Sequence, residues 1–374
     1  MTTYVEIHAL QSVPPSNINR DDTGSPKTAL YGGVTRARVS SQAWKRAIRE
    51  DFNRTLDPTD VGMRSLRLVS AISERIVELR PELAEQAQEL AVAAMEAAGF
   101  KKPVPKSRAK GVEGLPETGY LVFMSQRQIN ALAAAAVEAS EEPSPLAAMK
   151  AAKVKNLVDA EHSIDIALFG RMVADSTDLN VDAACQVAHA LSVHEATPEY
   201  DFYTAVDDAK SRNGEEEDAG AGMMGTVGFV SSTLYRYAAI NVDQLRETLG
   251  DDEATKKAIE AFLQSFVKAM PTGKQNTFGN ATRPVAVLAT VATGQPTSLV
   301  GAFEEPIRSS AGFVKPAIEG LARHAAEVFS AWRQPTLALV SGLQSEVGPL
   351  TKVGEVRPFD TLVAEVSSAA LEQQ

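Results

Sequence analysis

The sequence predicts an α+β fold, a ferredoxin-like or RRM-like layer interrupted by a large helical insertion and carrying a long β-hairpin. Three observations predict it. Residues 4–13 alternate, with Val5, Ile7 and Ala9 on one face and Tyr4, Glu6 and His8 on the other, the period of two expected of a half-buried strand. A block from about 60 to 195 reads as mostly helical. Beyond it come two aromatic, β-branched runs (200–208 and 227–241), a helical pattern over 243–269 and a strand-like run, Val285–Val291. Without the insertion the order is strand, helix, strand, strand, helix, strand, which is the ferredoxin-like plan. The chain then divides into 1–59, the helical insertion 60–195, the hairpin 196–230, and a return to the sheet over 231–374.

Each element has a local cause. Pro14-Pro15 closes the first strand, and the Asn-, Asp-, Gly- and Pro-rich segment 16–35 reads as loop. Ser40 and Ser41 are N-cap candidates for the first helix. At 100° per residue that helix gathers Trp44, Ala47, Ile48 and Phe52 on one side, and Gln42, Lys45, Arg46 and Arg49 on the other. Helical patterns then cover 64–98 (broken at Pro81), 125–139, 145–172 and 181–194. The Pro/Gly/Lys-rich stretch 101–118 reads as a surface loop, and the acidic link containing Glu215, Glu216, Glu217 and Asp218 as a hairpin tip. A last helix is predicted over 313–332.

Composition narrows the function classes. Hydrophobic residues make up 44% and charged residues 23%, as in an ordinary globular protein. No apolar run approaches the ~18 residues that would span a bilayer, and the N-terminus lacks a signal-peptide layout, so no membrane partner and a cytoplasmic location are expected. Cys185, the single cysteine, has no partner for an internal disulfide and is expected to be a buried thiol. The net charge of −11 argues at first against a nucleic-acid partner. Local charge decides where an anion docks, however. Between Asp22 and Glu50 lie six basic residues (Lys27, Arg36, Arg38, Lys45, Arg46, Arg49) and no acid.

Residues 36–49, RARVSSQAWKRAIR, carry the strongest chemical signal. A helix start leaves N–H groups unpaired and bears partial positive charge, which suits phosphate. Ser40, Ser41 and Gln42 add neutral donors there, and Lys45, Arg46 and Arg49 add charge. Arg36 and Arg38 precede them at strand spacing, on one face. The alternative is a plain solvated basic face. GAGMMG (Gly220 to Gly225) matches a dinucleotide fingerprint only formally, because acids precede it and a strand follows. GKQ at Gly273–Gln275 lacks the P-loop Ser/Thr, although Lys274, Gln275 and Thr277 suit phosphate or 2′-hydroxyl contacts. His189 and His194 are five apart, which is not ligand spacing on a helix, so no metal and no cofactor are expected. Asp21-Asp22 is the one candidate catalytic carboxylate pair, with a turn acid as the alternative.

NRDDTGSPKTALYGGVTRARVSSQAWKRAIR (Asn19 to Arg49) closely resembles the N-terminal signature of the CasC family, the backbone subunits of the type I-E CRISPR complex Cascade. IDIALFGRM (164–172), FYTAVDD (202–208), LYRYAAINVDQL (234–245) and GKQNTF (273–278) match in the same order. The resemblance implies an RRM-like palm, helical fingers and a hairpin thumb. It implies a non-enzymatic subunit that polymerises along CRISPR RNA, hexameric within the complex, beside other Cascade subunits. Target DNA would be met through the guide, and a nuclease-helicase recruited by the full complex. Carried over by position, the guide contacts are Arg20, Lys27, Ser40, Gln42, Lys45, Arg46 and Arg49. Phe202, Tyr203 and Thr204 would lie near displaced bases and Met172 would be an apolar wedge beside the RNA. Arg49, Trp44 and the long acidic thumb tip depart from the pattern. The rival implied by related backbone folds is an RNA-guided, metal-dependent ribonuclease using Asp21 or Asp22; a generic single-stranded-RNA binder is a third reading.

Overall fold

The computed structural model describes residues 1–105, 114–205 and 223–372. The chain divides into two compact units: Met1–Ile48 with Val187–Ala239 and Phe262–Gln374, and Arg49–Gln186 with Ile240–Ala261. The first holds most of a large mixed sheet; the second is mainly helical.

The sheet-bearing unit contains β1 (Thr3–Ser16), β2 (Thr28–Tyr31), β3 (Val34–Val39) and the start of α1 (Ser41–Thr55). Later come β4 (Ala190–Ser192), β5 (Glu199–Ala205), most of β6 (Met223–Asn241) and the final turns of α2 (Asp252–Lys268). It ends with β7 (Ala286–Thr293), α3 (Val314–Ala331), β8 (Leu337–Gly342) and α4 (Phe359–Glu372). From one edge the sheet runs Glu355–Val356, β8, β7, β1, β6, β4, β3, β2, with β5 paired to β6. β1 pairs antiparallel with β7, Ile7 opposite Ala289, while β8 pairs parallel with Glu355–Val356.

β1 is buried on both faces rather than one: Glu6 and His8 are as enclosed as Val5 and Ile7. Each polar group is satisfied inside, which is the condition for burying it. Glu6 accepts from Tyr237 Oη, Thr290 Oγ1 and the Thr297 N–H, and pairs with Arg333. Burial still raises its carboxyl above the usual range, against those donors. Tyr235 Oη shares a hydrogen bond with His8 Nδ1 at 2.8 Å and accepts from the Leu299 N–H at 2.9 Å. The apolar core around them joins Leu10, Tyr235, Leu288, Phe303, Ile318 and Leu321.

Elsewhere the prediction needs correction. Residues 16–35 are not all loop: β2 and the start of β3 form a hairpin there, turned by Gly32 and Gly33 at φ 58° and 78°. Residues 181–194 are not helical; they hold two short strands, Cys185–Val187 and β4. The pattern over 145–172 breaks into Pro145–Ala151, a 3₁₀ segment and Ile164–Phe169. Gly250, at φ 74°, splits the helix expected over 243–269. β8 and α4 were not anticipated. Helices Leu68–Leu79, Ala87–Ala97 and Gln126–Glu138 enclose a separate core of Ile72, Leu90, Met95, Ile129 and Leu132 in the second unit. Cys185 is buried. The acidic run 215–218 and the first half of GAGMMG lie outside the described residues.

His8 makes acid stability testable. Desolvation, with Arg333 nearby, lowers its pKa from 6.5 to about 3. A depressed histidine favours the fold above its unfolded pKa, and that contribution fades as pH falls from about 6.5 towards 3, by at most ~1.4 kcal/mol per pH unit. Urea denaturation at pH 7, 5 and 4 should show stability falling less steeply in His8→Phe than in the wild type. Equal steepness would refute the assignment.

Candidate nucleic-acid interface

The interface is built from the end of β1, β3, the start of α1, the β5–β6 hairpin and residues 272–279, all within the sheet-bearing unit. α1 begins where it does because Ser40 caps it. Its Oγ accepts from the Ala43 N–H at 3.3 Å, and its own N–H donates to Asn19 Oδ1 at 2.8 Å. Beneath the helix Trp44 is 1% exposed. The Arg236 guanidinium lies 3.6 Å from the Trp44 ring centroid and 4.3 Å from that of Phe266. Arg236 donates to Gln11 Oε1 at 2.6 Å and to the Phe266 carbonyl. Desolvation lowers its pKa to about 9, so it stays charged at neutral pH. The buried side of α1 is therefore the predicted one. On the other side Gln42 and Arg46 are exposed, and Lys45 is half-buried.

The loop before β2 is held as a rigid corner. Asn17 Nδ2 donates to the Gly24 carbonyl at 3.0 Å and to the Gly228 carbonyl at 2.8 Å. Asp21 Oδ1 accepts from the Thr23 N–H at 2.9 Å, Thr23 Oγ1 at 2.7 Å and the Ser25 N–H at 3.0 Å. The Thr23 hydroxyl, then those backbone donors, lower its pKa. That is a turn-holding role, with one carboxylate oxygen already committed. Among the described residues no group of three or more His, Cys, Asp or Glu is placed to hold a metal. Arg20 projects exposed from this corner and Lys27 sits half-buried at its exit.

Two further segments abut the corner. Tyr200 Oη lies 3.4 Å from Ser25 Oγ. A Cβ at Gly228 would come within 2.9 Å of Pro26 Cδ and 3.1 Å of the Tyr200 ring, so β6 needs glycine there. Phe202 is 63% and Tyr203 41% exposed, and Thr204 is exposed beyond them. A Cβ on Gly273 would meet the Ile18 carbonyl oxygen at 2.6 Å, so the 272–279 loop lies directly against β1's end. It presents Lys274, Gln275 and Thr277 to solvent. Lys274 has φ 50°, a left-handed backbone that costs a non-glycine residue about 1 kcal/mol.

Two predicted contacts leave the set. Arg36 is fully buried, donating to the carbonyls of Tyr31 (3.1 Å), Ser192 (3.0 Å), Phe303 (2.9 Å) and Glu304 (3.2 Å). The face it shares with Arg38 is roofed at Arg36 by residues 303–304 and open at Arg38, which donates to the Thr28 carbonyl. Arg49 belongs to the helical unit, where Nε pairs with Asp165 Oδ2 at 3.1 Å and the guanidinium sits 4.2 Å from the Phe123 centroid. Ser40 spends its hydroxyl on the cap. Ser41 donates its N–H to His189 Nδ1 at 3.3 Å. In the helical unit Met172 is 80% exposed, not core. Its neighbour Arg171 anchors that segment by donating to the carbonyls of Leu179 and Val158, each at 2.8 Å.

Asn17, Asn19 and His189 escaped the sequence reading. Asn19 stands inside the quoted signature, but nothing local reveals its reach to Ser40. His189 is 148 residues from Ser41 in sequence.

Residues 5–365 match the family described as CT1975-like protein. A solved structure described as "CRISPR RNA-guided surveillance complex, pre-nicking" contains a chain 34% identical, with a TM-score of 0.84, over 98% of this chain and 100% of that one. Another, described as "CRISPR RNA-guided surveillance complex", is 28% identical, with a TM-score of 0.74, over 98% and 99% respectively. No curated protein matches the chain.

Arg49→Ala should act on stability, leaving Asp165 buried with its charge unpaired. A loss on the order of 3 kcal/mol is expected in urea denaturation, with the salt dependence of RNA binding unchanged. A lower salt slope at unchanged stability would return Arg49 to the interface.

Proposed function

The chain belongs to the CT1975-like protein family, and from that premise we propose that it is the non-enzymatic, guide-RNA-binding backbone subunit of a CRISPR surveillance complex, a type I-E Cascade. Copies polymerise along CRISPR RNA in the cytoplasm, contact the other subunits, and hold the guide so that its bases pair with target DNA. The complete assembly recruits a nuclease-helicase. Similarity to two chains of RNA-guided surveillance complexes supports membership of such a complex. The strand order β7, β1, β6, β5 supports an RRM-like palm, being the order in which the fourth, first, third and second strands of that plan lie.

One observation carries the RNA reading: Asn17, Ser40 and Gly273 bring Arg20, Lys27, Arg38, Gln42, Lys45, Arg46, Lys274 and Gln275 onto segments fixed to one another. These cationic and amide groups suit the sugar–phosphate backbone. Phosphate contacts position a strand and leave its sequence to be read elsewhere. The exposed Phe202 and Tyr203 suit stacking with unstacked bases, which is tolerant of sequence. The ribonuclease alternative gains no support from Asp21, whose Oδ1 is committed to its own turn.

Lys45→Ala with Arg46→Ala tests the reading. Binding of single-stranded RNA should weaken almost equally for unrelated sequences, and the magnitude of the salt slope should fall by about 0.7 per lost phosphate contact. Sequence-selective loss, or unchanged affinity, would overturn it.

A further inference from the structure

His189 stands between the first turn of α1 and the Arg38 side chain. Its Nδ1 accepts the Ser41 N–H at 3.3 Å and lies 3.4 Å from an Arg38 guanidinium nitrogen. A ring nitrogen that accepts carries no hydrogen, so in the neutral imidazole the proton resides on Nε2. Three groups hold the ring in that neutral state. Partial burial comes first, followed by the positive charges of Arg38 and Lys27, and all lower its pKa from 6.5. The residue is nevertheless exposed. An uncharged N–H donor is thus held against the basic corner, its other nitrogen tied to the helix backbone. His8 and His194, by contrast, pack inward. His194 accepts the Thr233 N–H at 3.1 Å and stacks on Phe313, with centroids 3.7 Å apart.

The geometry points to His189 as a further guide-RNA contact, its Nε2–H donating to a phosphate oxygen of the strand that Lys45, Arg46 and Lys27 attract. The assignment rests on the RNA-backbone reading above and adds a residue to it. A neutral donor gives direction without adding charge. Its signature therefore differs from that of its cationic neighbours: affinity falls when it is removed, but no counterion release is lost with it.

The test measures binding of a mixed-sequence single-stranded RNA across a salt series, with thermal melting as control. His189→Ala should weaken binding roughly three- to tenfold, the size of one neutral hydrogen bond, with the salt slope and melting temperature unchanged. His189→Gln, which keeps an N–H donor at similar reach, should recover most of the affinity. Arg38→Ala, by contrast, should lower the slope by about 0.7. Unchanged affinity in His189→Ala, or a loss that the glutamine variant does not recover, overturns the assignment alone. Unchanged affinity in Lys45→Ala/Arg46→Ala overturns the interface reading itself, so the two failures are separable.

Discussion

A buried guanidinium sets where the first helix lies. Among the described residues no carboxylate pairs with Arg236; its charge is met by the Trp44 and Phe266 rings, the Phe266 carbonyl and Gln11. Desolvated cation–π contacts are worth on the order of 2 kcal/mol each, and the carbonyl lies in the last turn of α2, where the helix dipole is negative. The arrangement works only if Trp44 faces the sheet. A helix has one azimuth once one side chain is fixed, so Gln42, Lys45 and Arg46 are aimed outward by a residue that no ligand would touch. Ser40 and Asn19 then fix where the helix begins, and His189 takes up the Ser41 N–H there.

Seen this way, the basic residues of the signature divide by partner rather than by type. Arg36 ties the β2–β3 hairpin to the 303–304 segment through carbonyls alone. Arg49 neutralises Asp165, which also accepts from Ser163 and the Gly62 N–H. Guanidinium suits such posts because it carries five donors in a fixed plane and sheds water more easily than ammonium. The two lysines of the stretch, Lys27 and Lys45, both stay partly in solvent.

The division also explains how far the sequence could be read. The azimuth of α1 was legible because Trp44, Ala47, Ile48 and Phe52 recur at helical spacing, and a local pattern suffices for a local property. Four strands, β1, β5, β6 and β7, were legible for the same reason, each being long enough to show its pattern. Arg36 and Arg49 were not, because what covers them lies 156 and 116 residues away in Ser192 and Asp165. Residues 181–194 misled because strands of three residues are too short to display a period of two, and alanines then favour helix. His189 was weighed only as a metal ligand beside His194. Its partners, Ser41 and Arg38, lie 148 and 151 residues away along the chain.

To hold RNA as proposed, a chain of net charge −11 must localise its attraction. Every added cation strengthens binding to any polyanion and makes it more sensitive to salt. A neutral donor strengthens only those geometries in which a phosphate oxygen meets it squarely. Gln42, Gln275 and His189 stand among the cations in that capacity, each offering an N–H without a charge. A net negative charge opposes the approach of a polyanion anywhere but at such a local basic site. Attraction by the cations and selection of geometry by the neutral donors are then separate properties, and a backbone reader needs both, because it must hold every sequence equally and still hold it in one path.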